Sequence, residues 1–170
     1  MAKNNQRQRK LTITDELRLG VNAKVTRKLA GQSGEEILSP LSSLNEVVIA
    51  SKTILASENG KHFILNDATP AILMTLPLPA VGLEFWFHIG ANAPTATHQI
   101  LPNGSANIIV GNITSPEVVA LVAVVQDADA INFILNLAVH GDYAHVYSDG
   151  TNWFLDGMCA VQDGMTTTQV

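Results

Sequence analysis

The sequence lacks what several kinds of site require. Cys159 is its only cysteine, which excludes an internal disulfide, a four-cysteine zinc site and a CxxC redox pair. We expect Cys159 to be a small buried apolar residue. No apolar run reaches 18 residues, and no apolar segment follows the basic start "MAKNNQRQRK". The sequence therefore predicts a soluble chain with neither a membrane span nor a signal peptide.

Basic residues are almost absent after residue 28. Residues 1–28 hold eight Lys or Arg against two acidic residues, a balance of +6. Since the whole chain carries −5, the remaining 142 residues carry −11. This division predicts a basic arm that seeks an acidic partner and a body kept soluble by its negative charge.

The composition of the arm indicates which partner it binds. It has no aromatic residue for base stacking and no Gly-rich RNA-binding repeat, and apolar residues are mixed among its charges. This mixture favours a protein surface over nucleic acid, with a solvated tail as the alternative. The pattern of residues 13–30 predicts a short helix that begins near Thr14 and is interrupted by Gly20 and Asn22. The predicted contact residues are Arg7, Arg9, Lys10, Leu11, Leu17, Arg18, Leu19, Lys24, Arg27 and Lys28.

From Val47 onward, short apolar or alternating runs are cut by turn residues every 8–12 positions, which is typical of an all-β sandwich or barrel. We predict an arm and linker over residues 1–45 and, over residues 46–170, a jelly-roll-like antiparallel β-sandwich of nine or ten strands. In "LEFWFHI", alternation places Leu83, Phe85, Phe87 and Ile89 in the core. Trp86 then lies on the opposite face, where a subunit interface is favoured over a second core layer.

Two further segments have distinct local patterns. "SPEVVALVAVVQD" begins like a helix at Ser115 and Pro116, but its valines favour a strand that returns through "QDAD" as a hairpin. "DYAHVYSDGTNWFLDG" is predicted to be a hairpin turning at Asp149-Gly150. The residues assigned to the core or a subunit interface are Trp86, His145, Tyr147 and Trp153.

The sequence shows no recognisable catalytic or metal-binding motif. It contains no HExxH, GxSxG, P-loop or GxGxxG pattern. The densest group of candidate ligands is "HGDYAH", but His140 and His145 would lie on opposite faces of a continuous strand. Asp142 and Asp149 are the acids that such a site would use. We predict no catalytic residue, no metal and no cofactor.

Three segments resemble virion proteins of tailed phages. "GDYAHVYSDGTNWFLDG" (141–157) resembles a terminal hairpin found in such proteins, although Phe154 stands where Tyr is frequent. "KHFILNDATPAILMTLPLPAVGLEFWFHIG" (61–90) and "NGSANIIVGN" (103–112) are similar to earlier parts of the same domain. The resemblance covers residues 55–158, excludes the arm, and extends to head decoration proteins and to tail-fibre domains.

This resemblance implies a β-sandwich virion protein that is commonly trimeric. We expect a capsid decoration (cement) protein on the outer surface of the phage head, which binds the major capsid protein and stabilises the shell by bridging its subunits. The arm would clasp the capsid or a neighbouring protomer. Enzymatic activity and membrane or nucleic-acid partners are not expected. A tail-fibre or receptor-binding virion module is the alternative, although the chain has neither repeats nor coiled-coil heptads.

Overall fold

The computed structural model describes residues 26–27, 36–37, 44–67, 69–90, 94–104, 107–115 and 122–169. The chain divides into two compact units, residues 1–42 and 43–170, three residues before the predicted boundary. In the first unit, β1 (Thr26–Arg27) pairs antiparallel with β2 (Glu36–Ile37). The helix predicted near Thr14 and the contact residues of the arm lie outside the described residues, apart from the backbone of Arg27 in β1.

The second unit, which we call the body, contains two packed sheets. Across the seven-stranded sheet the order is β10 (Val122–Ala128), β9 (Ile109–Thr114), β13 (Trp153–Met158), β12 (Tyr143–Ser148), β7 (Glu84–Ile89), β5 (His62–Leu65) and β3 (Asn45–Val48). Across the five-stranded sheet it is β14 (Met165–Thr168), β11 (Ala130–Phe133), β8 (His98–Leu101), β6 (Leu73–Thr75) and β4 (Lys52–Thr53). The predicted all-β sandwich is confirmed.

The strand directions are mixed, whereas the sequence predicted an antiparallel sandwich. From β3 to β8 the chain passes alternately between the two sheets, so that β3, β5 and β7 are parallel neighbours in one sheet and β4, β6 and β8 in the other. β13 also pairs parallel with β9. The period of two in a sequence identifies a strand and its buried face, but it carries no information on the direction of the neighbouring strand.

The core lies between the two sheets and consists of the inward side chains of both. The four residues of β7 and its approach that were predicted to be core are all buried, and Cys159 is buried as expected. Phe63 packs against Phe87 with ring centroids 5.5 Å apart, and Phe85 lies 6.0 Å from the ring of Trp153. Full burial of each such side chain contributes about 1.5–3 kcal/mol.

The hairpin predicted at "SDGTN" is confirmed. β12 and β13 pair antiparallel with Ser148 opposite Trp153. The Asp149 carboxylate accepts hydrogen bonds from the backbone N–H groups of Thr151 and Asn152, both at 2.8 Å. Gly150 has φ = +98°, a conformation that favours glycine. This turn sets the register that directs Trp153 into the core.

Other local predictions need correction. The chain does form a strand over β10, but "QDAD" is not a hairpin turn, because β10 pairs with β9 while β11 pairs with β8 and β14 in the other sheet. Asp127 has φ = +52° at a register shift of the β10 ladder, after which the chain crosses between sheets. "VVIASKTIL" forms two short strands in different sheets, and β14 was not predicted at all.

Candidate functional site

Six neighbouring strands of the seven-stranded sheet direct alternate side chains away from the core. We call the surface that they form the outer face. The strand register aligns its residues in rows across the sheet. It consists of Val110, Asn112, Thr114, Phe154, Asp156, Met158, Tyr143, His145, Tyr147, Glu84, Trp86, His88, His62, Ile64, Asn45 and Val47.

Stacked rings occupy the middle of the outer face. The ring of Trp86 lies 4.0 Å from that of His145 on β12, and 5.4 Å from that of His62 on β5, with interplanar angles of 11° and 5°. These neighbours lie on the two strands that flank β7, and each flanking strand is about 4.8 Å from β7. The rings therefore stand on edge, and both faces of the Trp86 indole are covered by imidazoles.

The apolar character continues to both sides of this stack. Tyr147 stacks on Phe154 with ring centroids 5.4 Å apart. Tyr147 and Met158 are 45% and 46% exposed, and Val47 at the other end of the face is 59% exposed. The outer face thus presents ring edges and aliphatic side chains together with the exposed polar residues Asn45, Glu84, Asn112, Thr114 and Asp156.

The histidines of the outer face lie close to one another and to one acid. His145 Nε2 is 3.6 Å from Glu84 Oε2, too far for a hydrogen bond, and among the described residues this buried nitrogen has no hydrogen-bond partner. His62 Nδ1 and His88 Nε2 are 3.3 Å apart. Burial, together with the charge of His62, lowers the pKa of His88, which favours its neutral form.

A pocket of about 290 Å³ adjoins this face and is lined in part by His62, His88 and His140. His140 and His145 do not share a continuous strand, so the condition under which they would lie on opposite faces is not met. The chain turns at Gly141 with φ = +98°, and β12 begins only at Tyr143. Within the described ranges, no three His, Cys, Asp or Glu side chains are placed to hold a metal ion.

The two acids considered for a catalytic or metal site hold backbone turns. The buried Asp142 carboxylate accepts hydrogen bonds from the N–H groups of Val139 and Ala160, both at 2.8 Å. Asp149 holds the hairpin turn, and the N–H groups of Asn152 and Thr151 lower its pKa. Both carboxylates therefore accept hydrogen bonds from backbone N–H groups of the fold.

The only Lys and Arg residues of the body, Lys52 and Lys61, form an ion cluster with Glu46 and Glu58. The four N–O distances lie between 2.5 and 2.7 Å. Burial alone would raise the pKa of Glu58, but hydrogen bonds from the Leu55 N–H and both lysines lower it to about 2. Both basic side chains of the body thus form ion pairs with carboxylates of the body itself.

The structure separates the four residues that were assigned to the core or an interface. Trp153 lies in the core and is fully buried. Trp86, His145 and Tyr147 come together on the outer face. His62 was not predicted to join them, although alternation in "HFIL" places His62 on the face opposite to the core residue Phe63.

No helix in the described part of the chain is long and apolar enough to cross a membrane. Comparison of the chain with protein-family models, curated proteins and solved structures finds no match.

Proposed function

We propose that this chain is a phage capsid decoration (cement) protein that binds the major capsid protein on the outer surface of the head. The observation that carries the proposal is the division of charge between a basic arm and an acidic body. Residues 1–28 carry +6, and both basic residues of the body are engaged by Glu46 and Glu58. Electrostatic attraction to an acidic shell must therefore come from the arm.

The stabilising action follows from binding equilibria. A protein that binds only the assembled shell lowers the free energy of that state, and so opposes its disassembly. In a homotrimer, three arms bind the same shell, so that modest individual contacts give firm attachment through avidity. Bridging neighbouring capsid subunits in this way needs no catalytic site and no cofactor.

The proposal is tested by co-sedimentation of the full chain with phage shells that lack it. We expect saturable binding that weakens as salt is raised, because salt screens the arm. Replacing Arg7, Arg9, Lys10 and Arg18 by Gln should weaken binding at least tenfold. The matched control replaces Asn4, Asn5, Gln6 and Gln8 by Ser, which leaves the charge of the arm unchanged. Equal binding by both variants would contradict the role of the arm.

A tail-fibre or receptor-binding module remains the second candidate, and the pocket beside His62, His88 and His140 is the feature that favours it. The stacked rings weigh against it, because a sugar stacks on a free aromatic face and both faces of Trp86 are covered. Binding to host cells or glycans that is unchanged by the arm variants, with no binding to shells, would favour this second function.

A further inference from the structure

We propose that His62 and His88 form a binding site for one divalent transition-metal ion such as Zn²⁺. The sequence predicted no metal, because the two histidines lie 26 positions apart and belong to no metal-binding motif. The parallel pairing of β5 with β7 brings them together. The inference does not rest on the proposed function, since bridging a shell requires no metal ion.

The distance between the two ring nitrogens is that of two ligands of one metal ion. His62 Nδ1 and His88 Nε2 are 3.3 Å apart, and the ring planes differ by 6°. Zinc binds imidazole nitrogen at about 2.0–2.1 Å, so two such nitrogens at the tetrahedral angle are about 3.3–3.4 Å apart. A right angle between the same bonds would give only about 2.9 Å. The observed separation therefore matches the tetrahedral coordination that zinc prefers.

Neutral imidazoles can supply both nitrogens without a net loss of protons. In the hydrogen bond between His62 and His88, one of the two facing nitrogens carries a proton and the other accepts it. When that proton moves to the other nitrogen of its own ring, both facing nitrogens present lone pairs. A metal ion then accepts both lone pairs at the position between the rings, where it replaces the hydrogen bond.

Trp86 holds both imidazoles in place before a metal ion binds. Its ring lies 5.4 Å from that of His62 and 6.1 Å from that of His88, each at an interplanar angle of 5°. The ring of Tyr143 also packs against His88, with centroids 6.1 Å apart. Side chains that are already ordered lose little conformational entropy on binding. Trp86 is thus a positioning residue for the two ligands.

The pocket of about 290 Å³ gives room for the other ligands of the ion. Both His62 and His88 line it. In the part of the chain that the structure describes, no third His, Cys, Asp or Glu completes a set of three with them. Water would therefore fill the two remaining tetrahedral positions, and each water needs only about 30 Å³. Such an open site can exchange its water for a donor atom of a bound molecule.

The charge of the body favours a cation at this site. Residues 43–170 carry eleven acids against two lysines, a net charge of −9, which attracts cations. Lys61 is next to His62 in sequence, but its ammonium group lies 2.6 Å from Glu46 and 2.7 Å from Glu58. Lys52 is paired with the same two carboxylates. Both positive charges of the body are therefore compensated.

The test titrates the full chain, purified without a histidine tag, with Zn²⁺ in isothermal titration calorimetry. Wild type should bind one ion per chain, whereas Mg²⁺, which prefers oxygen ligands, should not bind. His62→Gln and His88→Gln should each weaken Zn²⁺ binding at least tenfold. The matched control is His145→Gln, which also removes an imidazole beside Trp86 but leaves the pair intact. It should bind Zn²⁺ like wild type.

Thermal unfolding gives a second readout and verifies that each variant is folded. Zn²⁺ should raise the unfolding midpoint of wild type and of His145→Gln, but not of the two pair variants, because an ion that binds only the folded chain stabilises it.

A wild type that binds no Zn²⁺ at millimolar concentration would overturn the proposal, and so would equal binding of Mg²⁺. Equal weakening by His145→Gln, or by His140→Gln in the same pocket, would contradict the assignment to His62 and His88. None of these measurements uses a capsid. A chain that binds Zn²⁺ through the pair but ignores shells would support the inference and contradict the decoration role, and shell binding without Zn²⁺ binding would do the reverse.

Discussion

Trp86 and Trp153 lie on opposite sides of the same sheet. Trp153 is fully buried in the core, while Trp86 lies on the outer face between two imidazoles. Alternation along the strand predicted that Trp86 lies on the face opposite to Phe85 and Phe87, because the face of a residue follows from its position in its own strand. The gathering of His62, His88 and His145 around Trp86 was not predictable, because it depends on which strands become neighbours.

His98 provides a prediction for a single buried side chain. Its Nδ1 accepts the Ile72 N–H at 3.0 Å, and its protonated Nε2 donates to the Asp67 carbonyl at 2.7 Å. Replacing His98 by Phe leaves both backbone groups without this partner and should cost about 1–3 kcal/mol of unfolding free energy. Urea unfolding measures this cost, with the exposed His140→Phe as control. A similar loss in both variants would contradict the prediction.

The same residue predicts a pH dependence. Burial lowers the pKa of His98 below its usual 6.5, against the opposing effect of Asp67. The unfolded chain therefore binds more protons than the folded chain below about pH 6.5, so stability is full above that pH and falls as the pH drops through the folded pKa. This part of the decline, which begins near pH 6.5 as the pH is lowered, should be absent in His98→Phe.

At the scale of elements, the sheets depend on close approach between particular strands. β9 and β13 pair in parallel with Gly111 opposite Leu155. Gly111 has φ = +148°, and a Cβ built there would lie 2.0 Å from the Leu155 carbonyl oxygen. Neither strand's own pattern predicts this contact, because the two strands are far apart in sequence and the parallel direction was not expected.

Gly111→Ala should therefore destabilise the body strongly. The added methyl group meets backbone, which cannot rotate away, and the expected loss is about 3 kcal/mol or more, measured by thermal or urea unfolding. Gly104→Ala is the matched control, since Gly104 also has positive φ, at +76°, but nothing lies within 4 Å of its added Cβ. That variant should lose only about 1 kcal/mol. Equal losses would show that backbone conformation, and not the contact with β13, sets the cost.

At the scale of the whole molecule, an ion cluster joins the two sheets. Glu46 belongs to β3 of the seven-stranded sheet and Lys52 to β4 of the five-stranded sheet, while Glu58 contacts both Lys52 and Lys61. The paired residues lie 3–15 positions apart in sequence. Their pairing connects the first strands of the two sheets near the start of the body.

This cluster predicts a loss of stability in acid. The folded pKa of Glu58 is about 2, below its ordinary value of 4.5, so its contribution is complete above about pH 4.5 and is lost as the pH falls toward 2. Glu58→Gln should cost about 1–2 kcal/mol near neutral pH, after allowance for solvent screening. It should also flatten the acid limb of the stability curve. Asp163→Asn, at an exposed acid, should do neither in the same urea titration.

The sequence alone determined the properties that depend on near neighbours. Alternation placed Phe85 and Phe87 inside and Trp86 outside, "SDGTN" set one hairpin, and the charge counts separated a basic segment from an acidic body. Only the tertiary structure decided the parallel pairing of β3 through β8 and the assembly of the outer face. The physical reason is that a residue's face follows from its own strand, whereas its partners are chosen by packing the whole core, between segments that local patterns do not relate.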